Sequence, residues 1–292
     1  MSTPYDPRHL RRAFGRAAES YEAAAVLQHE VEARLLEHLD YLDDRRPSVL
    51  LDVGAGPGRA SAAMRRRWPK ATVVALDQAL PMLRVARRRA GWWKPFQRVC
   101  ADAGALPLAE DSVEVIFSSL CLQWAQDLGR TLAGFRRVLR PGGLLLFSTF
   151  GPGTLAELRE AFGAADEAPH VSPFLPIQAV GDALMQAGFR NPVVDTDSFT
   201  LTYPDMTALM RELRAIGATN ALDGRRRSLT GRARFRAAEA AYEAHRRDGV
   251  LPSTWEVIYA MAWGPEPGAP IREDGAEVAR FPAGAIPVRR RG

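Results

Sequence analysis

An apolar run that leads directly into three closely spaced glycines constrains this chain more than any other feature. Residues 49–53 are apolar except for Asp52, and they predict a buried strand. Gly54, Gly56 and Gly58 allow a tight turn and leave room for a ligand to approach the main chain. Free N–H groups at the start of the following helix would face that ligand. The stretch predicts a ligand-binding strand–turn–helix unit, with an ordinary α/β turn as the alternative.

Acidic residues follow the next two predicted strands. Residues 71–76 form a second apolar run, and Asp77 stands directly after it. Asp77 lies 23 residues after Gly54, close to the ~20 residues expected for an acid that binds ribose hydroxyls. Residues 96–100 predict a third strand, and Asp102 follows it, with an exposed loop position as its alternative interpretation.

Strands alternate with helices through the first half of the chain. Residues 113–118 and 144–149 predict strands four and five, and the Pro-Gly-Gly sequence at 141–143 predicts a turn before the fifth. This alternation predicts a parallel sheet that helices cover on both faces. Such sheets bind ligands outside the carboxyl ends of their strands. The polar side chains at or near those ends are Asp52, Asp77, Asp102 and Ser118.

The glycine pattern G-x-G-x-G differs from the dinucleotide-binding pattern G-x-G-x-x-G. With the acids after strands two and three, it resembles the first motifs of class I S-adenosylmethionine-dependent methyltransferases. The resemblance implies an α/β fold with a seven-stranded, Rossmann-like sheet, helices on both faces and S-adenosylmethionine as cofactor. It also implies that Asp102 accepts a hydrogen bond from the adenine amino group. The expected cofactor-binding residues are Asp52, Gly54, Gly56, Gly58, Asp77, Gln78, Asp102, Ala103 and Ser118.

The remaining segments predict an N-terminal helical lid and a helical insertion before the last strand. Residues 8–42 have apolar side chains at helical spacing. Residues 192–202 and 254–263 predict the antiparallel sixth and seventh strands, and the two helices between them are too long for a hairpin turn. We expect this insertion to cover the substrate. The predicted units are a helical cap at 1–45, the methyltransferase domain at 46–264 with a lid insertion at 204–250, and a flexible tail at 265–292.

Composition and charge limit the partners. The formal net charge is +5, and 37 of the 39 basic residues are arginine. Arginine clusters at 65–67, 87–89 and 225–227 are interpreted as solvated faces, or as a surface for an acidic protein. Interleaved aromatic residues, which a nucleic-acid site would favour, are absent. The chain has no run of about 18 apolar residues, so no membrane span is predicted. No metal site is predicted either. The two cysteines, Cys100 and Cys121, predict a reducing, cytoplasmic location.

Longer segments resemble one methyltransferase family more narrowly. The segment SSLCLQW at 118–124 and the segment FGPGTL at 150–155 carry the most specific likeness. They resemble the BioC family, the malonyl-carrier-protein O-methyltransferases of biotin synthesis, and the likeness covers about residues 11–263. One departure is Ala55, where relatives often have cysteine. The other similar segments are FGRAAESY at 14–21, LQ at 27–28, HVSPF at 170–174, IGATN at 216–220, LTG at 229–231 and TWEVIY at 254–259.

The resemblance implies methylation of the free carboxylate of a malonyl thioester on acyl carrier protein. Such a carboxyl group has a pKa near ~4 and is already an anion at neutral pH, so no general base is required. Tyr21 is expected to close over the cofactor, and Gln123, Trp124 and His170 to line the substrate side, with core packing or loop capping as the alternative. An arginine is the expected carboxylate anchor. Its candidates are Arg211, Arg214 and Arg232, and a basic surface of Arg225–Arg227, Arg232, Arg234 and Arg236 is expected to hold the carrier.

Other functions remain open on the sequence. The same segments resemble mitochondrial complex I assembly factors, which are implicated in hydroxylating a protein arginine. A non-catalytic S-adenosylmethionine-binding scaffold and a methyltransferase for a small free acid are further alternatives. A coenzyme A thioester is an alternative to the carrier-bound substrate.

Overall fold

Seven strands form one mixed sheet in the computed structural model, which describes residues 5–42, 44–93, 95–225, 231–266, 271–273 and 276–278. The strands of this sheet are β1 (Val49–Val53), β2 (Thr72–Asp77), β3 (Gln97–Cys100), β4 (Val113–Ser118), β5 (Leu139–Phe150), β6 (Arg190–Tyr203) and β7 (Leu251–Trp263). Their order across the sheet is β3-β2-β1-β4-β5-β7-β6. Strands β1 to β5 pair in parallel, and β7 runs antiparallel between β5 and β6. The predicted seven-stranded fold is confirmed.

Helices cover both faces of this sheet. Two further short strands, β8 (Ile271–Glu273) and β9 (Ala276–Val278), pair only with each other. Short 3-10 helices occur at His38–Leu42 and Leu122–Trp124. The α-helices are α1 (Pro7–Ala17), α2 (Tyr21–Ala24), α3 (Val26–Glu37), α4 (Arg59–Arg67), α5 (Leu80–Ala86), α6 (Leu128–Val138), α7 (Ala156–Gly163), α8 (Ile177–Gln186), α9 (Met206–Ala215) and α10 (Arg232–Glu243).

Burial of both sheet faces explains why the central strands are continuous apolar runs rather than alternating ones. Leu50 and Phe117 belong to one core, to which α3, α4, α7, α9 and α10 contribute. Leu51 and Ile116 belong to a second core on the other face, to which α6 and α8 contribute. Because side chains alternate along a strand, neighbouring residues of β1 and β4 supply opposite cores. The two cores hold the carboxyl ends of β1, β2 and β4 together at the same end of the sheet.

The Pro-Gly-Gly sequence at 141–143 lies further along the chain than the start of the fifth strand. It lies inside β5, which begins at Leu139 as soon as α6 ends. Val113 of β4 pairs with Leu139 and Val115 pairs with Leu144, so residues 140–143 leave the ladder between these two pairs, as the predicted turn requires. Gly142 takes a φ of +65° directly after Pro141, a conformation that favours glycine in a tight turn.

Helix α1 lies across the carboxyl ends of the strands. Asp6 caps its first turn by accepting a hydrogen bond of 3.0 Å from the His9 N–H, and Pro7 occupies the first turn. The other carboxylate oxygen of Asp6, Oδ2, is 3.0 Å from Nη2 of Arg225. At the other end, Gly217 in the turn after α9 leaves room for Phe14, since a Cβ there would lie 2.9 Å from the Phe14 ring. These contacts fix α1 above the sheet.

Some predicted features lie outside the described residues. They include Arg226 and Arg227 of the predicted basic turn, residues 228–230 before α10, and most of the predicted tail. In the part of the chain that is described, no helix is long and apolar enough to cross a bilayer.

Candidate active site

A cavity of about 380 Å³ lies between α1 and the carboxyl ends of the strands. Gly54 lines it after β1, Asp77 at the end of β2, and Ser119 after β4. Leu10 and Phe14 of α1 line the opposite side. The cavity therefore lies where the strand order reverses between β1 and β4, the usual position for a ligand in an open α/β sheet.

The glycine turn at the floor of the cavity has no space for side chains at two positions. Gly54 has a φ of +72°, and a Cβ there would lie 2.5 Å from both Cβ and Sγ of Cys121. Gly58 has a φ of +78°, and its Cβ would lie 2.9 Å from Cβ of Ala86. Gly56 also has a positive φ, but nothing lies nearer than 4.0 Å to its Cβ position. Gly54 and Gly58 are thus fixed by packing, while Gly56 keeps an open side toward the cavity.

Main-chain N–H groups orient the Asp77 carboxylate. Oδ2 accepts a hydrogen bond of 2.9 Å from the Gly56 N–H, and Oδ1 accepts one of 2.7 Å from the Ala79 N–H. Burial raises the pKa of Asp77 to about 6, although the two N–H donors act to lower it. Each oxygen keeps further acceptor capacity, so the fixed carboxylate can accept hydrogen bonds from a diol in the cavity.

Asp52 lies beneath the turn instead of in the large cavity. It is almost fully buried, and Oγ of Ser61 donates a 2.5 Å hydrogen bond to its Oδ2. Burial raises the pKa of Asp52 to about 7; the Ser61 hydroxyl lowers it, and the nearby Glu32 raises it further. Asp52 lines a small polar pocket of about 30 Å³, together with Tyr21 and Gly54, which also line the large cavity.

Charged side chains from α3 and α4 line this small pocket, and Glu22 of α2 lies next to two of them, 3.7 Å from His29 and 3.8 Å from Arg59. Nε of Arg59 donates a 3.1 Å hydrogen bond to Glu32. Burial raises the pKa of Glu32. Nη2 of Arg89 lies 2.8 Å from Oε1 of Glu22. Oε2 of Glu22 and Nε2 of His29 are buried, and neither has a hydrogen-bond partner among the described residues. The pocket can therefore accept a charged, hydrogen-bonding end of a ligand.

The other end of the cavity is bordered by the loop after β3. Asp102 lines it, and one carboxylate oxygen accepts a 2.8 Å hydrogen bond from the Gly104 N–H. Gln78 and Ala103 also line this part. The arrangement offers a carboxylate acceptor beside main-chain groups, which suits a flat ring that carries an amino group.

Aromatic side chains close the cavity on the side of α1. Trp124 lines it and makes edge-to-face contacts with Tyr5 and Phe14, with ring centroids 5.6 Å apart in both pairs. Tyr21 lies between the cavity and the small polar pocket, and burial raises its pKa, so its phenol is neutral at pH 7.

Besides Asp52, four expected site residues do not line the cavity. Ser118 is fully buried and donates a 2.9 Å hydrogen bond to the Val53 carbonyl. Gln123 instead donates a 2.7 Å hydrogen bond to the carbonyl of Leu120. The other two are Gly58, which caps the start of α4, and His170, whose Nε2 is 2.8 Å from Asp166 and whose ring stacks on Phe162 at 4.1 Å.

The expected arginine anchors also lie elsewhere. Arg211 and Arg214 line a separate surface depression on α9, and Arg232 is exposed at the start of α10. Within the expected basic carrier surface, Arg225 is engaged with Asp6, and Nε of Arg234 lies 3.8 Å from Asp166.

Several cavity residues were not predicted from the sequence. Ser119 and Cys121 follow directly after β4, next to the predicted Ser118. Leu10 and Phe14 are four residues apart in α1, a spacing that could have identified its inward face. Arg130, from the first turn of α6, is the one basic side chain that lines the cavity in the described chain.

Solved structures share this fold. The YcgJ protein from Bacillus subtilis matches 82% of this chain and 99% of its own length, with a TM-score of 0.58 and 15% identity. An S-adenosylmethionine-dependent methyltransferase from Thermotoga maritima matches 87% of this chain and 99% of its own, with a TM-score of 0.52 and 14% identity. At these identities the likeness establishes the fold alone.

Sequence relatives are much closer. Residues 51–147 match the family model described as a methyltransferase domain. Malonyl-[acyl-carrier protein] O-methyltransferase from Xylella fastidiosa (strain M23) is 62% identical over 292 residues, 100% of this chain and 99% of that protein. The protein of the same name from Gallionella capsiferriformans (strain ES-2) is 44% identical over 281 residues, 94% of this chain and 96% of that protein. The predicted family is confirmed: the chain belongs to the malonyl-[acyl-carrier protein] O-methyltransferases.

Proposed function

We propose that this chain transfers a methyl group from S-adenosylmethionine to the free carboxylate of a malonyl thioester on acyl carrier protein. The carrying observation is the cavity under α1, where Asp77 and Asp102 follow neighbouring strands and face the glycine turn at Gly54. The name of the Xylella relative, which is similar over the full chain, supports the substrate. The product is the malonyl methyl ester that the biotin pathway uses.

The residues around the cavity fit S-adenosylmethionine. Asp77, held by two N–H donors, suits the ribose hydroxyls, and Asp102 with Ala103 suits the adenine ring. His29, whose buried Nε2 has no hydrogen-bond partner among the described residues, lines the small pocket that suits the charged amino-acid end. The close packing of Gly54 against Cys121 keeps the floor free of side chains between these two ends.

The chemistry requires no acid or base from the protein. When bound, S-adenosylmethionine supplies a methyl group on a cationic sulfur. The malonyl carboxyl group, with a pKa near ~4, already has an anionic oxygen at neutral pH, so the new C–O bond forms as the C–S bond breaks and no proton moves. The tasks left to the chain are to align the two groups and to exclude water.

The lining residues suit both tasks. Tyr21 is neutral, so its hydroxyl can donate a hydrogen bond to the substrate carboxylate without adding negative charge nearby. Trp124, packed on Tyr5 and Phe14, excludes water on the side of α1. We assign catalytic contact to Tyr21 and Trp124.

Gln123 and His170 receive positioning roles in this proposal. Leu120 lines the cavity in a left-handed conformation with a φ of +46°, which is strained for leucine. Gln123 stabilises that turn through the Leu120 carbonyl. His170 holds the loop after α7 through Asp166, and the side-chain amide of Asn220 ties the same loop to the turn after α9 by a 2.7 Å hydrogen bond to the Pro169 carbonyl.

The proposal also assigns a role to each segment of the chain. Residues 1–45 act as a cap over the cofactor, residues 46–264 form the methyltransferase domain, and the insertion at 204–250 supports α1 from behind. Contacts of Gly217 with Phe14 and of Ser20 Oγ with the Ala215 carbonyl, at 2.8 Å, support this division. We place residues 265–292 outside the catalytic unit.

Methyl transfer can be measured directly. Purified protein is incubated with methyl-labelled S-adenosylmethionine and either malonyl- or acetyl-carrier protein, and the intact carrier is analysed by mass spectrometry. We expect one added methyl group on the malonyl carrier alone, as an ester that mild base removes. Transfer to both carriers, or binding of the cofactor with no transfer, would contradict the proposal.

A further inference from the structure

Helix α1 has an apolar inner face and a positively charged outer face. Leu10 and Phe14 line the cavity from the inner face. The outer face presents four exposed arginines, and none of them has an ion-pair partner among the described residues. These arginines are Arg8, Arg11, Arg12 and Arg16.

Helix α9 extends this charge. Arg211 and Arg214 are exposed and, with Arg16, line a surface depression of about 380 Å³ beside the polar side chains of Ser20 and Thr219. The other side chains lining the depression are alanines, and no acidic residue does so. We call the six arginines 8, 11, 12, 16, 211 and 214 the α1–α9 face.

Nearby acids do not neutralise this face because they are engaged elsewhere. Glu19 forms a paired hydrogen bond with Arg88, at 2.8 Å to each of its two oxygens. Glu212 accepts a 2.8 Å hydrogen bond from the Tyr203 hydroxyl. Asp6 caps the first turn of α1 and forms an ion pair with Arg225. Six like charges on one surface repel one another, and an acidic partner would relieve that repulsion.

We infer that the α1–α9 face docks the acidic surface of the carrier protein that delivers the malonyl thioester. The inference rests on the proposed function. A helix with its side chains is only about 10–12 Å across, so a carrier docked on the outer face of α1 is one helix thickness from the cavity. The flexible arm of the carrier then has a short path around α1. The face replaces the basic surface expected at 225–236, where Arg225 and Arg234 already lie beside acids.

Three substitutions test the face without touching the cavity. The variant Arg16→Gln/Arg211→Gln/Arg214→Gln removes the charges around the depression. Its matched control is Arg46→Gln/Arg66→Gln/Arg98→Gln, three exposed arginines that lie before β1, near the end of α4 and in β3. Both variants change the net charge equally, so a general effect of charge appears in both. Urea unfolding checks that each variant keeps the fold.

Two readouts separate docking from catalysis. The first is the Kd for fluorescently labelled malonyl-carrier protein, which we expect to rise about tenfold or more for the test variant at low salt and little for the control. The second is methyl transfer to malonyl-pantetheine, which has no protein and no phosphate and should be turned over equally by all three proteins. High salt should reduce the difference between the test variant and the parent.

Other outcomes overturn the inference. Equal Kd values for the two variants would remove the docking role from this face. A loss of turnover with malonyl-pantetheine would indicate a catalytic effect, and a loss shared by malonyl-phosphopantetheine but not malonyl-pantetheine would make the depression a phosphate site. If the parent protein methylates none of these substrates, the proposed function fails, and the Kd values still decide whether the carrier docks here.

Discussion

Replacing Gly54 with alanine tests the packing of the cofactor turn. The new Cβ would lie 2.5 Å from both Cβ and Sγ of Cys121. The thiol can rotate away, but Cβ of Cys121 is fixed to the main chain, so one of the two loops must move. Carbon atoms pack at about 3.5–4.0 Å, so the shift required is about 1 Å.

The expected cost has two parts. An alanine with a φ near +72° loses about 1–2 kcal/mol. Overpacking of a buried contact adds about 1–3 kcal/mol. Gly56→Ala is the matched control, because Gly56 also has a positive φ but has no atom nearer than 4.0 Å to its Cβ position. We therefore expect Gly54→Ala to lower the free energy of unfolding by about 2–5 kcal/mol and Gly56→Ala by about 1–2 kcal/mol.

A second substitution at Cys121 separates the two parts. Cys121→Gly removes both clashing atoms and should restore part of the stability of Gly54→Ala. Cys121→Ala removes Sγ but keeps Cβ, so it should restore little. Urea unfolding of the parent and these four variants gives the free energies, and calorimetry gives the affinity for S-adenosylhomocysteine. Equal costs for Gly54→Ala and Gly56→Ala, or equal rescue by both Cys121 variants, would refute the packing argument.

Three further predictions follow from the same geometry. Asp77→Asn places an NH₂ donor against the N–H of Gly56 or Ala79, so S-adenosylhomocysteine affinity should fall by about 10- to 100-fold; calorimetry that shows unchanged affinity would contradict this. Asp6→Ala removes the cap of α1 and should cost about 0.5–2 kcal/mol and speed hydrogen exchange in α1; unchanged exchange would mean that other contacts fix the helix. Without cofactor, the folded protein holds protons on Asp52 up to about pH 7 and on Asp77 up to about pH 6, whereas the unfolded chain releases them near pH ~4. The free energy of unfolding should therefore fall between pH 5 and pH 7 by up to about 1.4 kcal/mol per pH unit and group, then level off; a urea series in which stability rises over this range would contradict the raised pKa values.

The sheet was predictable because burial on both faces leaves a strong sequence signal. Residues 49–53, 71–76 and 113–118 are nearly continuous apolar runs, and each corresponds to a strand of the structure. The strand β5 begins at Leu139, earlier than the predicted residue 144, because Leu139 pairs with Val113 before the Pro-Gly-Gly segment, and no local pattern encodes that single pairing.

Acids at strand ends were easier to place than side chains in loops. Asp77 and Asp102 line the cavity because a strand end fixes the position of the residue that follows it. Ser118 instead bonds the Val53 carbonyl within the sheet, and the next residue, Ser119, lines the cavity. Gln123 and His170 bond residues three and four positions earlier, Leu120 and Asp166, through local turns whose geometry no apolar pattern encodes.

A crystal structure with S-adenosylhomocysteine and a thioether analogue of malonyl-pantetheine tests the central claim most directly. The account predicts the ribose at Asp77, the adenine beside Asp102, and the malonyl carboxylate near Tyr21 beneath a closed α1. Cofactor outside the cavity under α1, or a carboxylate remote from Tyr21 with its other end at the cofactor sulfur, would contradict the account.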